Sequence, residues 1–265
     1  MLTSTTLISD IKLPTRPLVF DVDVNLSYGS RPMAAVEEIF LPDPDPREPR
    51  FTVISVDDHV VEPRHMFEGR LPRHLQERAP RIVETRAGHE VWEFEGQRLY
   101  QAGMNAIVGR RRNGVVVEPL RFEHMRPGCY DVHARIKDMD INGVWAAVNF
   151  PSMIAGFCGR VFSQADDAEL GLAATRAWND WFFEEWHSAY PDRLVPLGIT
   201  FLTDPDEAVK EIKRNAERGF TSASLPERAP HRLAQPVLGL LGPDHPGVCR
   251  DWHRHLAARR FVGGV

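Results

Sequence analysis

The sequence predicts an α/β protein built on a parallel sheet, of the kind that forms an eight-stranded barrel or part of one. Three observations carry that prediction. Apolar, β-branched runs of six or seven residues recur along the chain, as in Phe51–Asp57, Val144–Phe150, Leu194–Thr200 and Phe220–Leu225. Helical patterns with recognisable start and stop residues lie between the later runs. The length, 265 residues, falls in the range of one α/β barrel. Strands that alternate with helices pair in parallel, because each helix returns the chain to the same end of the sheet.

Each element follows in order. Residues 1–50 read as an irregular extension. Leu41–Arg50, LPDPDPREPR, has four prolines, each of which removes a backbone donor and fixes φ. Met33 lies just upstream, and residues 1–32 are expected to precede the natural start. Phe51–Asp57, FTVISVD, reads as a buried strand that ends in acid. A β-rich insertion, read as a flap, occupies about residues 60–130. Within it Arg81–Thr85, His89–Phe94 and Gln97–Tyr100 are short strands around Ala87-Gly88 and Glu95-Gly96 turns. A helix over Asp131–Ile141 is capped by Asp131 and stopped by Gly143. The strand Val144–Phe150 ends at Pro151. A long amphipathic helix over Asp166–Tyr190 carries Trp178, Trp181, Phe182 and Trp186, a set that belongs to a core or a subunit interface. The strand Leu194–Thr200 follows. Asp204 then caps a helix to Arg218, with Pro205 in its first turn and Gly219 after it, before the strand Phe220–Leu225. About four of eight barrel strands are therefore present over residues 51–230.

Composition narrows the function classes. Net charge is −5 and the pI near 6.1, which argues against a nucleic-acid binder. No apolar run is long enough to span a membrane, and the N-terminus lacks a basic segment followed by an apolar one. Cys129, Cys158 and Cys249 are too scattered for a disulfide framework or a zinc knuckle. A cytoplasmic protein with reduced thiols is expected.

The chemistry-bearing motif is Val53–Pro63, VISVDDHVVEP. Asp57 and His59 are two positions apart at a strand end, so both project from one face while Asp58 projects from the other. In a parallel barrel the C-terminal strand ends surround the active site. A carboxylate and an imidazole there are suitable ligands for one divalent cation, zinc first, with manganese or iron as alternatives. The competing reading is structural: Asp57 caps a turn and His59 is a satisfied histidine. Asn149 and Ser152, after the second strand, are candidate substrate-binding residues, although turn chemistry accounts for them equally well. Arg110–Arg112 could attract a carboxylate, against a default of a solvated loop.

The order of segments VISVDDHVVEP, MFEGRLP (Met66–Pro72), DMDINGVWAAVNFPS (Asp138–Ser152), RAWNDWFFEEW (Arg176–Trp186), YPDRLVPLGI (Tyr190–Ile199) and EIKRNAERGF (Glu211–Phe220) resembles the amidohydrolase-related family. The closest pattern is the branch of aminocarboxymuconate-semialdehyde decarboxylase and the hydroxybenzoate decarboxylases. The resemblance covers roughly residues 40–230. It implies a distorted TIM barrel, one divalent metal, Asp57 and His59 as first-strand ligands, a small carboxylate substrate and a homodimer for an intact member. D-x-H here departs from the H-x-H or E-x-H of many relatives, which leaves the metal open.

The family's later histidine and aspartate ligands have no counterpart in this chain. Residues 231–265 are rich in arginine, histidine, proline and glycine and contain no lysine. Codons permitted for Asp251–Gly263, read from the second base, give TGTVISLHVGSS, which resembles the missing fifth strand. The expectation is a frameshift near His231 and an out-of-frame tail, so His245, His253 and His255 are not recruited as ligands. Three functions follow: a metal-dependent non-oxidative carboxy-lyase acting on an aromatic or unsaturated carboxylic acid, a metal-dependent hydrolase of an amide, ester or lactone, or an inactive fragment of such an enzyme.

Overall fold

The computed structural model describes residues 39–45, 48, 50–100, 106, 108–111 and 121–225. The expected start near Met33, the out-of-frame tail over 231–265 with its three histidines, Cys249 and Arg112 lie outside the described residues. Within the proline-rich segment, Leu41–Asp45 has no regular structure, and Phe40 bridges Arg110 in an isolated antiparallel contact.

The described chain is a mixed α/β structure with a parallel sheet. β1 (Val53–His59) pairs in parallel with β5 (Val144–Phe150), and β5 pairs in parallel with β6 (Leu194–Val195). A second parallel pair joins β7 (Leu197–Ile199) to β8 (Ser222–Ser224). The expected single strand Leu194–Thr200 is thus divided at Pro196. Proline has no N–H for a ladder, so pairing passes there from β5 to β8. The Pro196 carbonyl accepts from Thr221 and Ser222 N–H, each at 3.3 Å, at the handover.

A three-stranded antiparallel sheet lies over the three runs expected as strands: β2 (Arg81–Glu84), β3 (Glu90–Phe94) and β4 (Gln97–Leu99). Its Trp92 and Phe94 are buried against Phe67 and Phe162, with edge-on ring pairs at 5.5–5.9 Å.

The three longer helices start where the sequence supplies an oxygen acceptor. Helix α1 (Val132–Asn142) is capped by Asp131, whose side chain accepts from Ala134 N–H at 2.7 Å. The short α2 spans Arg160–Ser163. Helix α3 (Ala168–Trp181) is capped by Asp167, and α4 (Pro205–Arg218) by Asp204.

The long helix expected over Asp166–Tyr190 is not regular throughout. After Trp181 it widens into a π-helix over Phe182–His187. Trp178, Phe182 and Trp186 are spaced four apart, and on a regular α-helix that spacing drifts by about 40° per step. A wider turn holds the later side chains on one stripe. All three are buried, as is Trp181, and Trp178 stacks on Phe182 at 4.9 Å. Burying an aromatic of this size contributes roughly 4–6 kcal/mol of transfer free energy before entropy is subtracted. The tryptophans therefore form core rather than an interface.

The burial of the first strand is also corrected. The first strand was expected to be buried, yet Phe51 is 79 % exposed, Ile54 56 % and Val56 68 %. Among the described residues β5 is the one strand paired to β1, so its other edge and most of its side-chain surface stay open. None of the described helices is long and apolar enough to cross a membrane.

Candidate functional site

The C-terminal end of β1 carries the expected pair. Asp57 is exposed and His59 half-buried. Asp58 pairs with Arg135 of α1 at 3.2 Å. Arg135 also donates to the His59 carbonyl, which fixes the end of the strand to α1. The ladder is irregular between Ser55 and Asp58, and after it Asp58 lies level with Asn149 and His59 with Phe150.

His59 Nδ1 lies 3.0 Å from the Pro151 carbonyl oxygen. A carbonyl only accepts, so Nδ1 carries the proton, and in the neutral ring Nε2 presents the lone pair. That is the tautomer a metal-binding or proton-accepting histidine needs, and a backbone acceptor is the usual device for fixing it. The His59 ring also sits 6.0 Å from Phe150.

The loop after β5 is fixed by Glu62, which the sequence reading did not single out as a functional residue. Glu62 is fully buried. It accepts from Trp178 Nε1 at 2.9 Å, from Ser152 N–H at 3.0 Å and from the Ser152 hydroxyl. Burial pushes its pKa up, against those hydrogen bonds. The signal available in sequence was a carboxylate inside the apolar run Val60-Val61-Glu62-Pro63. A charged residue there has to find donors. Phe157 was missed too; it sits between Gly156 and Cys158-Gly159, where an aromatic is exposed rather than packed.

The two candidate substrate-binding residues are engaged with the scaffold. Asn149 is fully buried, and its Oδ1 accepts from Trp186 Nε1 at 3.0 Å. It is level with Asp58, and Arg135 lies over the same Trp186 ring at 5.8 Å, so Asn149 belongs to the helix-covered side of the sheet. Its Nδ2 has no hydrogen-bond partner among the described residues. Ser152 gives both its N–H and its hydroxyl to Glu62. The structure therefore brings Asp57 and His59 to one strand end and sets Asn149 and Ser152 behind it.

The fit of a divalent metal splits between donor type and donor number. An Asp and an Nδ1-protonated His are suitable donors. A catalytic zinc takes three protein ligands, and no group of three His, Cys, Asp or Glu side chains arranged for a metal occurs among the described residues. The described residues supply two suitable donors, Asp57 and His59, and do not by themselves complete a catalytic metal site. The two described thiols, Cys129 and Cys158, are no alternative nucleophile. Burial pushes Cys129 up to about 11 and raises Cys158, and an attacking thiolate needs the opposite shift. Of the arginine triplet, Arg110 donates to the His124 carbonyl.

No protein-family model matches this chain, and no curated protein does. It is similar to solved structures. One is described as an amidohydrolase from Mycobacterium avium subsp. paratuberculosis K-10, 21 % identical, with a TM-score of 0.47 over 66 % of this chain and 49 % of that one. A second is a 2,6-dihydroxybenzoate decarboxylase from Rhizobium, 15 % identical, with a TM-score of 0.37 over 78 % of this chain and 47 % of that one. A third, a 2,6-dihydroxybenzoate decarboxylase complexed with 2,6-dihydroxybenzoate, is 16 % identical, with a TM-score of 0.39 over the same shares. The chain spans about half the length of these structures.

Proposed function

We propose that this chain carries the first part of an amidohydrolase-type barrel, and that its reaction is metal-dependent, non-oxidative decarboxylation of an aromatic or unsaturated carboxylic acid. The observation that supports the reading is the end of β1. There Asp57 and a His59 locked by Pro151 into its Nε2-presenting tautomer project from a strand that runs parallel to its neighbour.

In such a reaction the bond between the carboxyl carbon and the ring or vinyl carbon breaks. Carbon dioxide leaves, the electron pair stays behind, and a proton takes the vacated position. What this chain's own residues do is hold the acceptor nitrogen in place. Arg135 anchors the His59 backbone, Pro151 orients its ring, and Glu62 with Trp178 fixes the loop that carries Pro151.

The deciding experiment offers the purified chain benzoate and cinnamate derivatives with zinc, manganese or iron(II), and follows released carbon dioxide. Turnover that disappears in His59→Ala is expected. Turnover of amides, esters or lactones without carbon dioxide would replace the reading with hydrolysis. A second reading, a non-catalytic fragment, is favoured by the shortage of donors. It predicts only loose metal retention, with dialysed protein holding well under one ion per chain by elemental analysis.

A further inference from the structure

The loop from Pro151 to Gly159 leads out of β5 and starts beside His59. It holds Gly156, Cys158 and Gly159 at positive φ, at 65°, 61° and 77°. A left-handed cysteine carries a strain on the order of 1 kcal/mol, and such strain persists only where surrounding contacts impose it. Here they do. Cys158 is 1 % exposed and meets the Ser224 hydroxyl at 2.9 Å, at the end of β8. Ile154 and Ala155 are fully buried. A Cβ on Gly156 would approach Val161 to 2.9 Å, so the turn admits no larger residue without a shift.

Two side chains in this tightly held loop face outward, Met153 at 44 % exposure and Phe157. Phe157 is 58 % exposed. Its ring stacks on Phe150 at 5.6 Å with an interplanar angle of 20°, and Phe150 is the ring beside His59. A strained loop that buries Ile154, Ala155 and Cys158 yet leaves a phenylalanine exposed and stacked on Phe150 is not solving a packing problem at Phe157. Its effect is to continue the imidazole's surroundings with a flat apolar face. Three residues on, Arg160 is exposed and makes no ion pair with any described residue, so the loop also carries a cation.

We infer that Phe157, backed by Phe150, is a stacking platform for the ring of an aromatic carboxylate, and that it determines substrate specificity. The inference rests on Asp57 and His59 being the reaction centre proposed above. A π face is distinguished from a merely apolar one by what stacks on it.

The test titrates the full chain with benzoate and with cyclohexanecarboxylate, observed by ligand NMR. The two share a carboxylate and a six-membered ring, but only benzoate has a π face. Wild type should bind benzoate about two- to tenfold more tightly. Phe157→Leu, which keeps apolar area at an exposed position, should erase that preference, and Phe157→Ala should do the same. An unchanged preference in Phe157→Leu overturns the proposal, as does equal or undetectable binding of both ligands by wild type. A shift of Phe157→Leu in size-exclusion elution with benzoate binding intact also overturns it, and assigns the ring to a protein contact. The two readings fail separately. Benzoate preference lost in Phe157→Leu, in a chain that releases no carbon dioxide, retires the carboxy-lyase and keeps the platform. Carbon dioxide release with the preference unmoved retires the platform alone.

Discussion

Glu62, Ser152 and Trp178 meet in the interior from three separate parts of the chain, and the carboxylate accepts three hydrogen bonds there. Glu62→Ala leaves those donors buried without a partner, which costs about 3–5 kcal/mol by the usual penalty for orphaned groups. Its urea midpoint should fall accordingly, whereas Glu62→Gln keeps an acceptor and should fall less. A pH dependence follows as well. Burial raises the folded pKa above the ordinary 4.5. Below the unfolded value both states are protonated, and Glu62 adds no pH dependence. As pH rises from there through the raised folded value, the unfolded chain ionises first and gains, so stability is lost. The stability of wild type minus that of Glu62→Gln should therefore fall as pH climbs from the acid side and then level off. A difference that grew with pH would mean that the ionised form is the one the fold prefers.

Asn179 couples a helix to a strand without belonging to the sheet. It is fully buried in α3, its Nδ2 donates to the Ile199 carbonyl at 3.0 Å, and its Oδ1 accepts from Ile199 N–H at 2.9 Å. The same Nδ2 donates to Glu211 of α4 at 2.9 Å, and Glu211 is also held by Arg176 and Arg214. One amide thus closes the strand's edge as a neighbouring strand would. Asn179→Ala should cost about 2–4 kcal/mol, read as a lowered urea midpoint, and should raise amide exchange at Ile199. Asn179→Asp should cost more, because it brings a second carboxylate to Glu211.

How much of this was legible depended on the range of the interaction. The caps at Asp131 and Asp204 were readable because a cap is a contact between neighbours in sequence. Pro196 was visible as a residue, but its consequence, a handover from β5 to β8, required knowing both partners. The π-turn followed from where Trp186 had to point. The pair Asp57 and His59 was singled out from its place at a strand end and from the family resemblance, since an Asp and a His two apart are common by themselves. The bracket behind it could not, since Glu62 meets Trp178 across 116 positions.

At the scale of the whole molecule, β1 is the unsettled element. It bears the candidate site, yet Phe51, Val53, Ile54 and Val56 are exposed, and among the described residues only its β5 edge is paired. Reading Phe51–Asp57 as buried assumed neighbours on every side, and burial belongs to the assembled sheet rather than to the strand. An open, apolar, β-branched edge is a template for another chain. The chain is therefore expected to self-associate as its concentration rises, measured by light scattering. Val56→Lys puts a charge on that edge at a position 68 % exposed. A substitution that exposed should change the thermal midpoint little, about 0.5 kcal/mol or less in stability, while it suppresses the scattering. If Val56→Lys instead unfolds the chain and leaves association of the remainder unchanged, Val56 is buried against something in solution, and the open edge of β1 is closed there by another segment.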